Sequence, residues 1–123
     1  MSPYSKMKTI PEEWCLVRIK DDQHIGTKND DLVKVFGSWR GDFATGDSWK
    51  LNSGIEHTSE EEDYYLFKGY SGSVYKCHKK TYGINSMYNS GVLMSFEDVE
   101  PMKGAAAVRW IRRRLKEDEK INE

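Results

Sequence analysis

The chain changes character once, after Pro101. Before that point its apolar residues come in short runs rich in Val, Ile, Tyr and Trp, separated by Gly, Asn, Ser and Asp. After it comes MKGAAAVRWIRRRLKEDEKINE, made of alanine, leucine and long straight-chain ions that favour helix. Pro101 lies where a first helical turn tolerates it. Ala107, Val108, Ile111 and Leu115 fall at i, i+1, i+4 and i+8, one apolar stripe. Arg109, Arg112, Arg113 and Lys116 point away from that stripe, with Trp110 on its flank. Strands first and a helix last are incompatible with a parallel sheet, which needs alternating units. The expected fold class is α+β: a small antiparallel β-sheet or partly open β-barrel of about six strands, with a C-terminal α-helix at about 103–118 packed on it.

The strands follow from local pattern. WCLVRI, Trp14 to Ile19, has β-rich composition and at least one buried face. The polar connection Lys20 to Asp31 carries Gly26 and His24, the latter read as a solvated loop residue. Leu32 to Trp39 is the second strand, with Gly37 read as a bulge. Arg40 to Asp47 turns back, Gly46 supplying a positive φ. Ser48 to Ile55 is the third strand, and the five acids within Glu56 to Asp63 read as a solvated loop. Tyr64 to Phe67 and Ser73 to Cys77 form a hairpin across GYSGS. Thr81 to Gly91 reads as a polar loop and Val92 to Phe96 as a short apolar strand. The Asn-Ser-Gly shared by SWKLNSGI and SMYNSGVL reads as repeated turn chemistry. The domain plan is a flexible arm at 1–11, one domain at 12–116 and a frayed tail at 117–123.

A chain of 123 residues holds one core. Four tryptophans, seven tyrosines and four phenylalanines supply large buried areas to a sequence that is otherwise 32% charged. Lysine and arginine nearly balance aspartate and glutamate, for a net charge of −1, so no global field draws the protein to nucleic acid or an anionic membrane. Cys15 and Cys77 form no CxxC pair, which suits reduced thiols in a cytoplasm. No apolar run is long enough to span a bilayer. That compartment discounts the Arg40-Gly41-Asp42 string as an integrin ligand.

Chemistry-bearing residues are few. Cys77 and His78 adjoin but would face opposite sides of a strand, and no metal spacing, phosphate-cradling loop or nucleophile elbow occurs. The reading is therefore no catalytic set, no metal and no cofactor, with a small hydrolase using His57 and His78 as an alternative. Binding suits the composition better. Trp39, Trp49, Tyr70, Tyr75, Tyr82 and Tyr88 would form an aromatic platform if exposed, beside the basic cluster Lys76 to Lys80 with His78, or beside Arg109 and Arg113 of the helix. Nucleic acid or a small nucleotide is one partner such a surface fits. The plainer reading is that the aromatics fill a core short of Leu and Ile, and that the arginines are the solvated side of their helix.

DSWKLNSGI (Asp47 to Ile55) and GYSGSVYKCHKKTYG (Gly69 to Gly83) resemble small uncharacterised accessory proteins of tailed bacteriophages, over residues 36–96. The resemblance implies a host cytoplasm and a non-enzymatic protein that binds and redirects or inhibits a host or phage protein, such as a component of a defence system. It carries no catalytic residue. Exposed aromatics on a small domain are also compatible with a homo-oligomer.

Overall fold

The structure is a computed structural model and describes residues 8–20, 32–42 and 44–121, with side chains as far as 119. The connection containing His24 and Gly26, and residues 1–7 of the expected arm, lie outside the described residues. In chain order the elements are β1 (Lys8–Thr9), β2 (Glu13–Ile19), β3 (Val33–Trp39), β4 (Ser48–Leu51), β5 (Ile55–Glu61), β6 (Tyr64–Gly69), β7 (Val74–His78), α1 (Met87–Ser95), β8 (Val99–Pro101) and α2 (Gly104–Ile121). They make a β-rich α+β fold of two four-stranded sheets, β1-β7-β6-β5 and β4-β3-β2-β8, antiparallel apart from the β1–β7 pair. No barrel closes.

β2 and β3 set the architecture because both of their faces are apolar. Cys15 pairs with Phe36 and Leu16 with Val35, and successive side chains of a strand point to opposite faces. One face gives Trp14, Leu16, Val33 and Val35 to a core shared with Phe67, Tyr75 and Cys77 of the other sheet and with Ala107, Trp110 and Ile111 of α2. The opposite face gives Cys15, Val17 and Phe36 to a second core closed by Leu93 and Val92 of α1 and by Phe96. The second sheet is thus sandwiched between the first sheet with α2 on one side and α1 on the other. This double burial is what the runs WCLV and VKVF encode.

Trp14 is the joint of the larger core. Its ring meets Tyr65, Phe67 and Tyr82 at centroid distances of 6.1, 5.6 and 4.9 Å, and its Nε1 donates to the His78 carbonyl at 2.7 Å. The free edge of β2 is closed by other parts of the chain. Trp14 exchanges backbone bonds with Thr81 and Gly83, and the Tyr82 hydroxyl accepts from Leu16 N while donating to the Met102 carbonyl.

Several local expectations are corrected. Residues 92–96 do not form a strand; most belong to α1. The acid-rich run is an edge strand, β5, whose Glu56, Glu60 and Glu61 meet Lys68, Lys79 and Lys76 of neighbouring segments at 3.5, 2.7 and 3.1 Å. Gly37 keeps regular register with Trp14 and Lys50. A shift in register lies between Ile55 and His57 instead. Glycine at 37 answers a close approach, since a Cβ there would stand 3.1 Å from Pro11 and 3.3 Å from the Trp39 ring. Pro101 ends β8 rather than opening a helix, Trp110 is buried rather than flanking, and α2 runs to Ile121. Within the expected arm, Lys8–Thr9 pairs with β7.

Candidate functional site

α1 forms from poor helix residues because its start is fixed from outside. Ser86 is the N-cap, its Oγ accepting from Asn89 N at 3.1 Å, and the same hydroxyl donates to the Asp47 carboxylate. A carboxylate at that end also suits the helix dipole. Asn89 is completely buried: its Nδ2 donates to Ser38 Oγ and to the Ser48 carbonyl, both at 2.8 Å. Its Oδ1 meets no donor among the described residues, so the amide orients α1 through its N–H groups.

With Asn89 and Leu93 directed inward, the helix period sends Met87, Tyr88, Gly91 and Met94 outward. Met87 is 90% exposed, Met94 78% and Tyr88 64%. From Ile84 to Phe96 the sequence carries no charge, and the exposed acids Glu97, Asp98 and Glu100 follow directly. Gly91 lies amid this face, and a Cβ there would meet nothing within 4 Å. Trp49, 37% exposed, stacks on Phe36 at 5.6 Å and meets Phe96 edge-on at 5.5 Å. A run of exposed methionines on an uncharged helix face is a soft, adaptable contact surface.

The anchoring of α1 is acid-sensitive. Ser86 and then Gly41 N hold the Asp47 carboxyl below its ordinary range. Burial pulls Glu13 up, but hydrogen bonds from Asn85 N and Nδ2 outweigh it and leave the group lowered. Carboxylates depressed in the fold contribute stability above their unfolded pKa and lose it as pH falls through the folded value. The contribution should therefore be intact at neutral pH, begin to fall near about pH 4 and be lost as pH drops through the lower folded values. Urea unfolding of wild type and Asp47→Asn is expected to show the variant weaker at pH 7 and the gap closing at pH 3; a gap that persists would mean the carboxylate charge is irrelevant.

The residues singled out as a binding platform are dispersed. Ser48 pairs with Trp39 and Trp49 with Ser38, so the two tryptophans occupy opposite faces of one sheet. Trp39 folds back to donate to the Ile10 carbonyl at 3.0 Å. Tyr70, 60% exposed, caps the β6–β7 turn against Gly54, whose φ is +116. Tyr75 is in the core. Tyr82 closes the edge of β2, and burial pushes its hydroxyl well above the usual tyrosine range. His78 sits edge-on to Tyr64 at 4.9 Å, with its Nδ1 accepting from Lys80 N. Arg109 and Arg113 are exposed on α2. Tyr88, a member of the expected platform, is exposed on α1, and Met87 and Met94 beside it are the surface residues the sequence reading missed. Their i, i+7 spacing after a capping serine was the available signal.

His57 and His78 do not meet. His57 pairs with Lys68 and His78 with Tyr64, two strands and four positions apart, on the order of 15 Å. Both cysteines are buried, Cys15 pushed up to about 12 by desolvation and Cys77 well above the ordinary thiol range for the same reason. That is the condition of inert thiols. Among the described residues no three His, Cys, Asp or Glu side chains group as metal ligands. A cleft of about 260 Å³ between β5 and α2 is lined by His57, Thr58, Ser59, Glu60, Leu115 and Glu119, but Thr58 is bonded to Asp118 and Glu60 to Lys79. No helix among the described residues is long and apolar enough to cross a membrane.

No family model, curated protein or solved structure matches the chain.

Proposed function

We propose that the protein is a non-enzymatic binding module whose partner is another protein, gripped by the outward face of α1. The observation that carries this reading is the set Met87, Tyr88, Gly91 and Met94 on a helix already anchored by its other side. Methionine exposed to this degree contributes nothing to the fold and is the side chain best suited to conform to an apolar groove. Gly91 points the same way. A mid-helix glycine costs roughly 0.5–1 kcal/mol relative to alanine, and neither backbone conformation nor a neighbour requires it here; a partner approaching the backbone closely would. The fitting partner offers an apolar groove with a basic rim where Glu97, Asp98 and Glu100 arrive. The likeness to phage accessory proteins makes that partner a host or phage protein, with binding that redirects or inhibits it.

The test uses Gly91→Ala and the pair Met87→Gln with Met94→Gln as affinity baits in bacterial lysate beside the wild type. Gly91→Ala should raise the stability of the free protein by about 0.5–1 kcal/mol while weakening capture of a stoichiometric partner. The methionine pair should leave stability unchanged and abolish capture. A partner retained by both variants, or none held by the wild type, would remove this reading.

A further inference from the structure

The arginine run of α2 is not absorbed by the α1 surface. Arg109, Arg112, Arg113 and Lys116 are all exposed, and at the helical period they fall within an arc of about 100° along about 10 Å of axis. None of the four has an ion pair among the described residues, whereas Lys68, Lys76 and Lys79 each hold a carboxylate, and Arg114 of the same helix reaches Asp118 at 3.8 Å and the Glu56 carbonyl at 3.1 Å. The acids of α2 are confined to Glu117, Asp118 and Glu119, past the stripe. Like charges three and four residues apart work against the helix that bears them. Among the described residues this stripe gathers four cations without an ion pair on one face of one helix.

We infer that this stripe is a second binding surface, which takes the phosphate backbone of double-stranded nucleic acid without reading its sequence. Guanidinium groups present planar forks that match phosphate oxygens. An acidic protein is a poorer fit, because protein interfaces rest on desolvated aromatic or apolar anchors and the stripe offers only Ala105 and aliphatic stems between its charges. A single strand is a poorer fit as well, since it needs rings on which bases stack, and Trp110, the aromatic of α2, is buried. With a net charge of −1 there is no long-range steering, so contact is local and strongly dependent on salt.

Fluorescence anisotropy with a labelled mixed-sequence duplex tests this in the full chain. Four phosphate contacts give a slope of log affinity against log salt of roughly −3 to −4. Arg109→Gln, Arg112→Gln and Arg113→Gln together should flatten the slope to about −1 and lower affinity at least tenfold at low salt. The same variant should melt no lower than wild type, because repulsion on α2 is relieved, which shows that the loss is not unfolding. The corresponding triple lysine variant should keep the slope. Met87→Gln with Met94→Gln should bind the duplex as wild type does, which separates the two surfaces. Absence of duplex binding at low salt, an unchanged slope in the glutamine triple, or equal binding of single strands or polyglutamate would each overturn the inference.

Discussion

Replacing Trp14 with alanine is expected to destabilise the domain by about 4 kcal/mol, a large part of the 5–15 kcal/mol, roughly, that holds a domain of this size together. The side chain is almost wholly buried and touches three aromatic rings drawn from β6 and from the segment after β7. α2 closes the same core through Ala107 and Ile111. Alanine would leave a cavity where these segments converge, and the rings around it are held by β6 on one side and by the segment after β7 on the other, which cannot collapse together. It would also leave the His78 carbonyl without the indole donor. Trp14→Phe separates the two contributions: it keeps most of the ring and loses the N–H, so it should cost about 1–2 kcal/mol. Chemical unfolding of both variants measures the difference. An alanine variant within about 1 kcal/mol of wild type would show that Trp14 does not join the sheets.

The parts of this fold legible in the sequence are those where side-chain pattern and burial coincide. β2 and β3 were readable because apolar residues occupy both faces, and the β6–β7 hairpin because Gly69 and Gly72 bracket a tight turn in which Gly72 has φ +95. α2 was readable from its stripe, since Ala107 and Ile111 are buried and Val108 and Leu115 half-buried. The rest depended on partners distant in sequence. β5 has one apolar residue, Ile55, and is held as a strand by lysines of other segments and by Asp118 of α2. Nothing within Glu56 to Asp63 announces those partners.

α1 was hidden for a related reason. Asn89, Ser90 and Gly91 are weak helix formers, and the helix depends on Asp47 some 39 positions upstream through Ser86. The two Asn-Ser-Gly strings therefore share letters without sharing conformation: Gly54 turns the chain at positive φ, while Gly91 is helical. Their asparagines do share a task. Asn52 accepts from Val35 N at 2.8 Å and Asn89 donates to the Ser48 carbonyl, so each is a buried amide that ties an end of β4 to its surroundings. Because the helix was hidden, so was its methionine face, and the expected platform was instead sought among aromatics that mostly serve the cores.

Asp118→Ala should cost about 3 kcal/mol and loosen β5 before anything else. An aspartate in the last turns of a helix is set against the dipole, and this one is nearly fully buried; the offset comes from Arg114 one turn earlier, whose Nε lies 3.8 Å from Oδ2, and from Thr58 of β5. Its Oδ2 accepts from Thr58 N at 2.8 Å and from Thr58 Oγ1 at 2.6 Å. β5 is an edge strand, so the Thr58 N–H has the carboxylate as its partner, and removing that acceptor strands a buried donor. Asp118→Asn keeps an acceptor oxygen without the charge and should fall between alanine and wild type. Thr58→Val removes the hydroxyl but keeps the N–H, so its cost should be smaller, and the Thr58–Asp118 double-mutant cycle should give a coupling of about 1 kcal/mol or more. Hydrogen exchange locates the effect: amides of β5 should speed up in Asp118→Ala while those of β2 and β3 hold. Uniform acceleration across both sheets would mean that Asp118 supports the whole domain, and no change at β5 would mean that its charge-paired lysines are sufficient to keep the strand in place.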